Sequence, residues 1–178
     1  MYRPLFPAPW LFSGLFLVVM AMMVPLSGLA QAKVVHTPYQ PPKALVEVYL
    51  DDPAKLGGAL NWLRGLINPL TISPYGMHAE DMDIIVLMHG TEIVTLARKN
   101  EERYREVVQR MRYYADLGVK FKVCGQAMKD YDYTPNDLYD FVEVTPSAIP
   151  ELAHWQRQGY ALIRAEVLDK KHAIEQIR

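Results

Sequence analysis

The strongest constraint on the fold is an alternation of two patterns along the chain. Five short apolar runs, at residues 44–50 (ALVEVYL), 83–89 (DIIVLMH), 119–123 (VKFKV), 141–144 (FVEV) and 160–163 (YALI), are separated by segments with helical spacing. Each run has the length and composition of a strand, and the first reads as buried on both faces. In the third, Lys120 and Lys122 alternate with apolar neighbours, so one face there is less covered. After the first run, Asp52 and Pro53 form an N-cap with proline at the first helical position. Leu56, Leu60, Leu63, Ile67 and Leu70 then recur every three or four residues until Pro69 and Ser73-Pro74 end the helix. Asn100 caps the next helix, with Glu101 and Glu102 at the positive end of its dipole. Tyr104, Val107, Val108, Met111, Tyr114 and Ala115 line its inner face, and Gly118 supplies a left-handed C′ residue. Residues 124–128 (CGQAM) open a short helix, and a further helix is capped near Thr145 or Ser147, takes Pro150 in its first turn and ends at Gly159. Strands alternating with helices require right-handed βαβ crossovers. The expected fold is α/β: three layers, α/β/α, with a largely parallel five-stranded sheet.

The first 32 residues stand apart from this pattern. Residues 11–24 are apolar almost without a break, after a start whose only charge is Arg3. A membrane span needs about 20 apolar residues and a secretory h-region roughly 7–15. Ala30-Gln31-Ala32 follows the helix-breaking Pro25 as an A-x-A cleavage site, so residues 1–32 read as a signal peptide, the rival being an uncleaved anchor. Removal leaves no stable membrane span and places the domain in the periplasm. Residues 33–42 (KVVHTPYQPP) form a proline-rich extended arm, residues 43–164 the α/β domain, and residues 165–178 a polar C-terminal tail.

Composition removes much of the usual function menu. A formal net charge of -1 without a Lys/Arg cluster offers nothing to a phosphate backbone, which argues against a nucleic-acid partner. One cysteine excludes an intrachain disulfide, a C-x-x-C pair and any multi-cysteine metal site. The histidines lack metal-ligand spacing, and neither G-x-G-x-x-G nor G-x-x-x-x-G-K occurs, so no metal or cofactor is expected.

What chemistry remains gathers at the carboxyl ends of the strands, where open α/β sheets hold ligands. Cys124 follows the third strand and opens a helix, a place that favours a thiolate, and Gly125 allows a reactant to approach backbone closely. The competing account of Cys124 is a small buried apolar residue that never meets an oxidant. His89 ends the second strand on the same edge; it either polarises the thiol or a substrate, or donates to a loop carbonyl. Asp51 and Asp52 read first as turn and cap, and second as a pair for proton transfer. Tyr131, Tyr133 and Tyr139 either roof a pocket or pack the loop with wet hydroxyls.

The order of these signals from Lys43 to Ile163 resembles the DsrE/DsrF-like (YchN-like) family of small α/β domains associated with sulfur relay. The resemblance is carried by Asp51-Asp52-Pro53, Ala59-Leu60-Asn61, His89-Gly90, the stretch 117–125 (LGVKFKVCG), Ile149-Pro150-Glu151-Leu152, Gln156 and Gly159-Tyr160. It implies that Cys124 carries a persulfide, that sulfur donor and acceptor proteins are its partners and that the chain forms a homo-oligomer. Relay members are cytosolic and hetero-oligomeric, whereas this chain has an export signal. With a single cysteine, sulfur can leave only by attack from outside, so a carrier fits better than a self-resolving redox enzyme. The alternative is a non-catalytic binding or assembly module with the same fold.

Overall fold

The computed structural model describes residues 31–178, so the leader segment lies, but for its last two residues, outside the described residues. Within the unit His36–Arg178, five strands alternate with helices in the expected order. They are β1 (Lys43–Val48), β2 (Asp83–Met88), β3 (Lys120–Cys124), β4 (Val142–Thr145) and β5 (Ala161–Arg164). All pair in parallel, in the order β4-β3-β2-β1-β5. The helices are α1 (Leu56–Thr71), α2 (Glu101–Asp116), α3 (Gly125–Asp130), α4 (Ala148–Arg157) and a terminal turn α5 (Ile174–Ile177). The chain is a three-layer α/β fold.

This strand order decides how the faces are covered. From β1 to β4 the chain moves steadily toward one edge, and right-handed crossovers then keep α1 and α2 on one face; the return to β5 carries α4 over the other. The buried side chains divide accordingly. Val46, Val86, Phe121 and Val123 pack with Leu60, Leu63 and Met111, whereas Leu45, Ile85, Leu87 and Cys124 pack with Ala148 and Tyr160. The second face is covered by α4 with Ala127 of α3 beside it, and it keeps charged residues. Lys122 pairs with Glu143, and Arg164 with Glu47.

Local signals act largely as the sequence implies. Asp52 accepts a hydrogen bond from the Ala54 N–H at 2.8 Å, with Pro53 opening a 3-10 turn that leads into α1. Gly118 and Gly159, at φ of +92° and +87°, end α2 and α4 in the left-handed region. Two details differ. Pro69 lies inside the last turn of α1, which runs on to Thr71; so near the end it forfeits a single internal bond. Asn100 makes no side-chain cap bond; its amide donates instead to the Val94 carbonyl at 2.8 Å and the Tyr133 hydroxyl at 3.1 Å, a tertiary use that outcompetes capping. The proline-rich arm carries no helix or strand from residue 36 to 42, and Tyr39 rests against Tyr75 with ring centroids 5.3 Å apart. No helix among the described residues is long and apolar enough to cross a membrane.

Candidate functional site at the carboxyl edge of the sheet

The loops that leave β1 and β2 are tied together by one buried carboxylate. Glu92, in the 3-10 turn Thr91–Leu96, is 0% exposed and accepts three backbone N–H groups: Leu50 at 3.0 Å on Oε2, and His89 at 2.9 Å and Gly90 at 2.8 Å on Oε1. Burial pushes the Glu92 carboxyl above its ordinary range, and the three donors offset only part of that. Gly90 is required for this approach. A Cβ there would stand 2.5 Å from the Leu50 nitrogen and 2.6 Å from its carbonyl oxygen. Thr91 adds a backbone and a hydroxyl bond to that same carbonyl, at 2.9 and 3.0 Å.

His89 is held on this platform from three sides. Its Nε2 lies 3.1 Å from Glu47 Oε1, its ring stacks under Tyr49 with centroids 4.7 Å apart and 16° between planes, and its backbone N–H is shared by Val48 and Glu92. Glu47 is buried in β1 and also takes Arg164 Nε at 2.9 Å on its other oxygen. The strand-end histidine therefore binds a carboxylate, not a loop carbonyl.

Cys124 ends β3 in a simple register with His89. Leu87 pairs with Lys122 and Met88 with Val123, so residue 89 continues the row opposite Cys124, on the face covered by α4. The thiol is 6% exposed, packed with Ala148 and Ala127. Gly125 makes room for the protein itself: a Cβ there would meet the Thr145 carbonyl at 2.6 Å, so backbone of the β4–α4 connection, not a reactant, occupies the approach. α3 is six residues long and Cys124 makes no side-chain cap bond to it.

A cleft of about 930 Å³ opens over the ends of β1, β2 and β5. It is lined by Glu47, His89 and Arg164 together with Tyr49, Tyr131 and Asp51. Cys124 does not line it; Ala127 does. Of the expected site residues, His89, Asp51 and Tyr131 thus meet in one cleft, Cys124 stands beside it in the sheet, and Asp52 and Gly125 serve as cap and packing. Asp51 is bound to Lys55 at 3.1 Å, which holds its carboxyl below the usual range. Tyr133 and Tyr139 turn into the core on the α1/α2 side, leaving Tyr131 as the one of the three on the cleft. Among the described residues no group of three or more His, Cys, Asp or Glu side chains is placed to hold a metal ion.

Residues 165–168 of the C-terminal segment complete the lining. The Ala165 N–H extends the ladder to the Glu47 carbonyl at 2.9 Å, the Glu166 carbonyl accepts Trp62 Nε1 at 3.0 Å, and Asp169 lies 3.8 Å from Lys55. Val167 seats over Gly58, where a Cβ would come within 2.7 Å of it. The start of the polar tail is therefore a docked strap.

Three residues that build the candidate site carry little or no signal in the sequence: Glu47, Glu92 and Arg164. A glutamate inside an otherwise apolar strand is a legible signal for Glu47, because a buried charge demands partners. Glu92 and Arg164 carry no comparable mark.

The fold is similar to the solved structure of MTH1491, a protein of unknown function from Methanobacterium thermoautotrophicum, with a TM-score of 0.55 and 21% identity over 69% of this chain and 98% of that one. No curated protein matches the sequence. The DsrE/DsrF-like family matches residues 65–165, which include β2 through β5, His89 and Cys124. With more than half of its length matched in this way, the chain belongs to the DsrE/DsrF-like family.

Proposed function

We propose that this protein is a periplasmic sulfur carrier, exported by cleavage of residues 1–32, that holds sulfane sulfur as a persulfide on Cys124. The observation that carries the reading is the row at the carboxyl edge: Met88 pairs with Val123, which places His89, the residue after β2, next in register to Cys124, the last residue of β3, beside the cleft. Membership of a family generally linked to sulfur relay supports it.

In the forward step the Cys124 thiolate attacks the terminal sulfur of a donor persulfide. A new S–S bond forms on Cys124, the donor's S–S bond breaks, and the donor leaves as a thiolate that takes up a proton. An acceptor thiolate then attacks the outer sulfur and releases Cys124 as a thiolate; no net oxidation occurs. The donor and acceptor are partner proteins, and the carrier works as a homo-oligomer.

The test is mass spectrometry of exported protein purified without reductant, with Cys124→Ser as control. A gain of one sulfur atom, lost on treatment with a small thiol and absent from the variant, is expected. An unmodified mass, together with failure of native Cys124 to react with a small alkylating reagent, would sink the carrier. The second reading, a non-catalytic binding or assembly module, draws on the fact that the cleft is lined by His89, Arg164, Tyr49 and Tyr131 and not by Cys124. Slow alkylation throughout would favour it.

A further inference from the structure

Glu47 is out of place by composition. It is the next-to-last residue of β1, between Val46 and Val48, 9% exposed, where an apolar residue of similar volume would pack at least as well. A buried carboxylate survives only with partners, and Arg164 Nε at 2.9 Å already neutralises its charge from the rim. The second bond, to His89 Nε2 at 3.1 Å, is therefore not needed to balance charge. What it adds is direction.

We infer that Glu47 is the positioning residue of this site: it fixes His89 with the proton on Nε2 and leaves Nδ1 as the ring nitrogen that exchanges a proton with a thiol at the cleft. This deepens, and rests on, the carrier reading. An ionised carboxylate only accepts, so the imidazole nitrogen facing it must donate. Tyr49 stacked on the ring holds its plane, Glu92 on the His89 backbone N–H holds the residue in place, and the contact to Glu47 selects the nitrogen that faces the carboxylate. Among the described residues, Nδ1 has no protein hydrogen bond, and His89 lines the cleft. A thiol reaching the cleft gives its proton to Nδ1 and becomes the attacking thiolate. The imidazolium so formed lies against Glu47 and returns the proton to the thiolate that leaves, so charge and protons balance over the cycle.

Imidazole nitrogen NMR of ¹⁵N-histidine-labelled protein tests this directly. The wild type should show His89 as the Nε2–H form. Glu47→Gln, whose amide both donates and accepts, should lose that preference severalfold, and Arg164→Gln should retain it. Transfer of sulfur from loaded Cys124 to free cysteine should slow about tenfold or more in Glu47→Gln and lose its pH dependence, a share of the ~10²–10⁴-fold that positioned proton transfer typically contributes. Should Glu47→Gln fold poorly, Glu47→Asp, one methylene short of the ring, should shift the same equilibrium. An Nδ1–H form in the wild type, or spectra and pH profile unchanged in Glu47→Gln, overturns the inference. If wild-type Cys124 takes up no sulfur, the carrier reading falls, while the tautomer comparison still decides what Glu47 does.

Discussion

Replacing Glu92 by glutamine probes the clamp beneath the site without changing its shape. The amide oxygen can keep the two bonds on Oε1, from the His89 and Gly90 N–H groups. The NH₂ group then faces the Leu50 N–H, which had Oε2 at 3.0 Å, and two donors oppose each other in a region closed to water. An orphaned buried donor costs about 1–3 kcal/mol, and the two surviving bonds lose their charge assistance. Relief from burying a charge works the other way. The net expectation is a loss of about 1–3 kcal/mol in urea unfolding at neutral pH, or roughly 2–12 °C in Tm for a domain of this size. The pH dependence supplies an independent sign. Burial raises the Glu92 carboxyl in the folded state above its ordinary 4.5, so the folded protein binds the proton more tightly than the unfolded chain. The contribution of Glu92 to stability is then greatest below the unfolded value and declines as pH climbs through the folded one. The gap between wild type and Glu92→Gln, measured across a pH series, should narrow with rising pH and level off above that window. A gap that widens with pH, or a variant within about 0.5 kcal/mol of wild type throughout, would show that the carboxylate does not hold these loops.

Two further outcomes follow from the same packing. Gly58→Ala should push Val167 off α1 and free the strap, seen as a change in Trp62 fluorescence and faster tryptic cutting at Lys170 and Lys171; adding Val167→Ala should restore the seat, and additive effects in the double mutant would refute the contact. Tyr160 should ionise late in an alkaline titration. Burial and its bond to Asp83 push it up to about 12, so the stability it contributes is lost as pH rises from its ordinary 10 through that value, and Tyr160→Phe should remove this alkaline loss.

Periodicity alone reaches most of the fold. β-branched runs of strand length and leucines at three- and four-residue spacing dictate alternating strands and helices, and the chirality of βαβ units turns that into a parallel sheet. Local chemistry placed the turns as well: Asp52 caps, and Gly118 and Gly159 end helices, because those interactions span only a few residues. The site was legible to the extent that strand ends share an edge, which brought His89 and Cys124 to it. Which partners the groups take was decided by strand order. Return of the chain to place β5 beside β1 sets Arg164 against Glu47, 117 positions earlier in the chain, and sends residues 165–168 on to line the cleft, with Val167 over Gly58 of α1. Crossing of α4 over the β1 side brings Ala148 onto Cys124, and no local pattern carries that information. Burial of a charge or a thiol depends on what the rest of the chain lays over it, so the clamp at Glu92, the orientation of His89 and the cover on Cys124 exist only once the sheet has assembled.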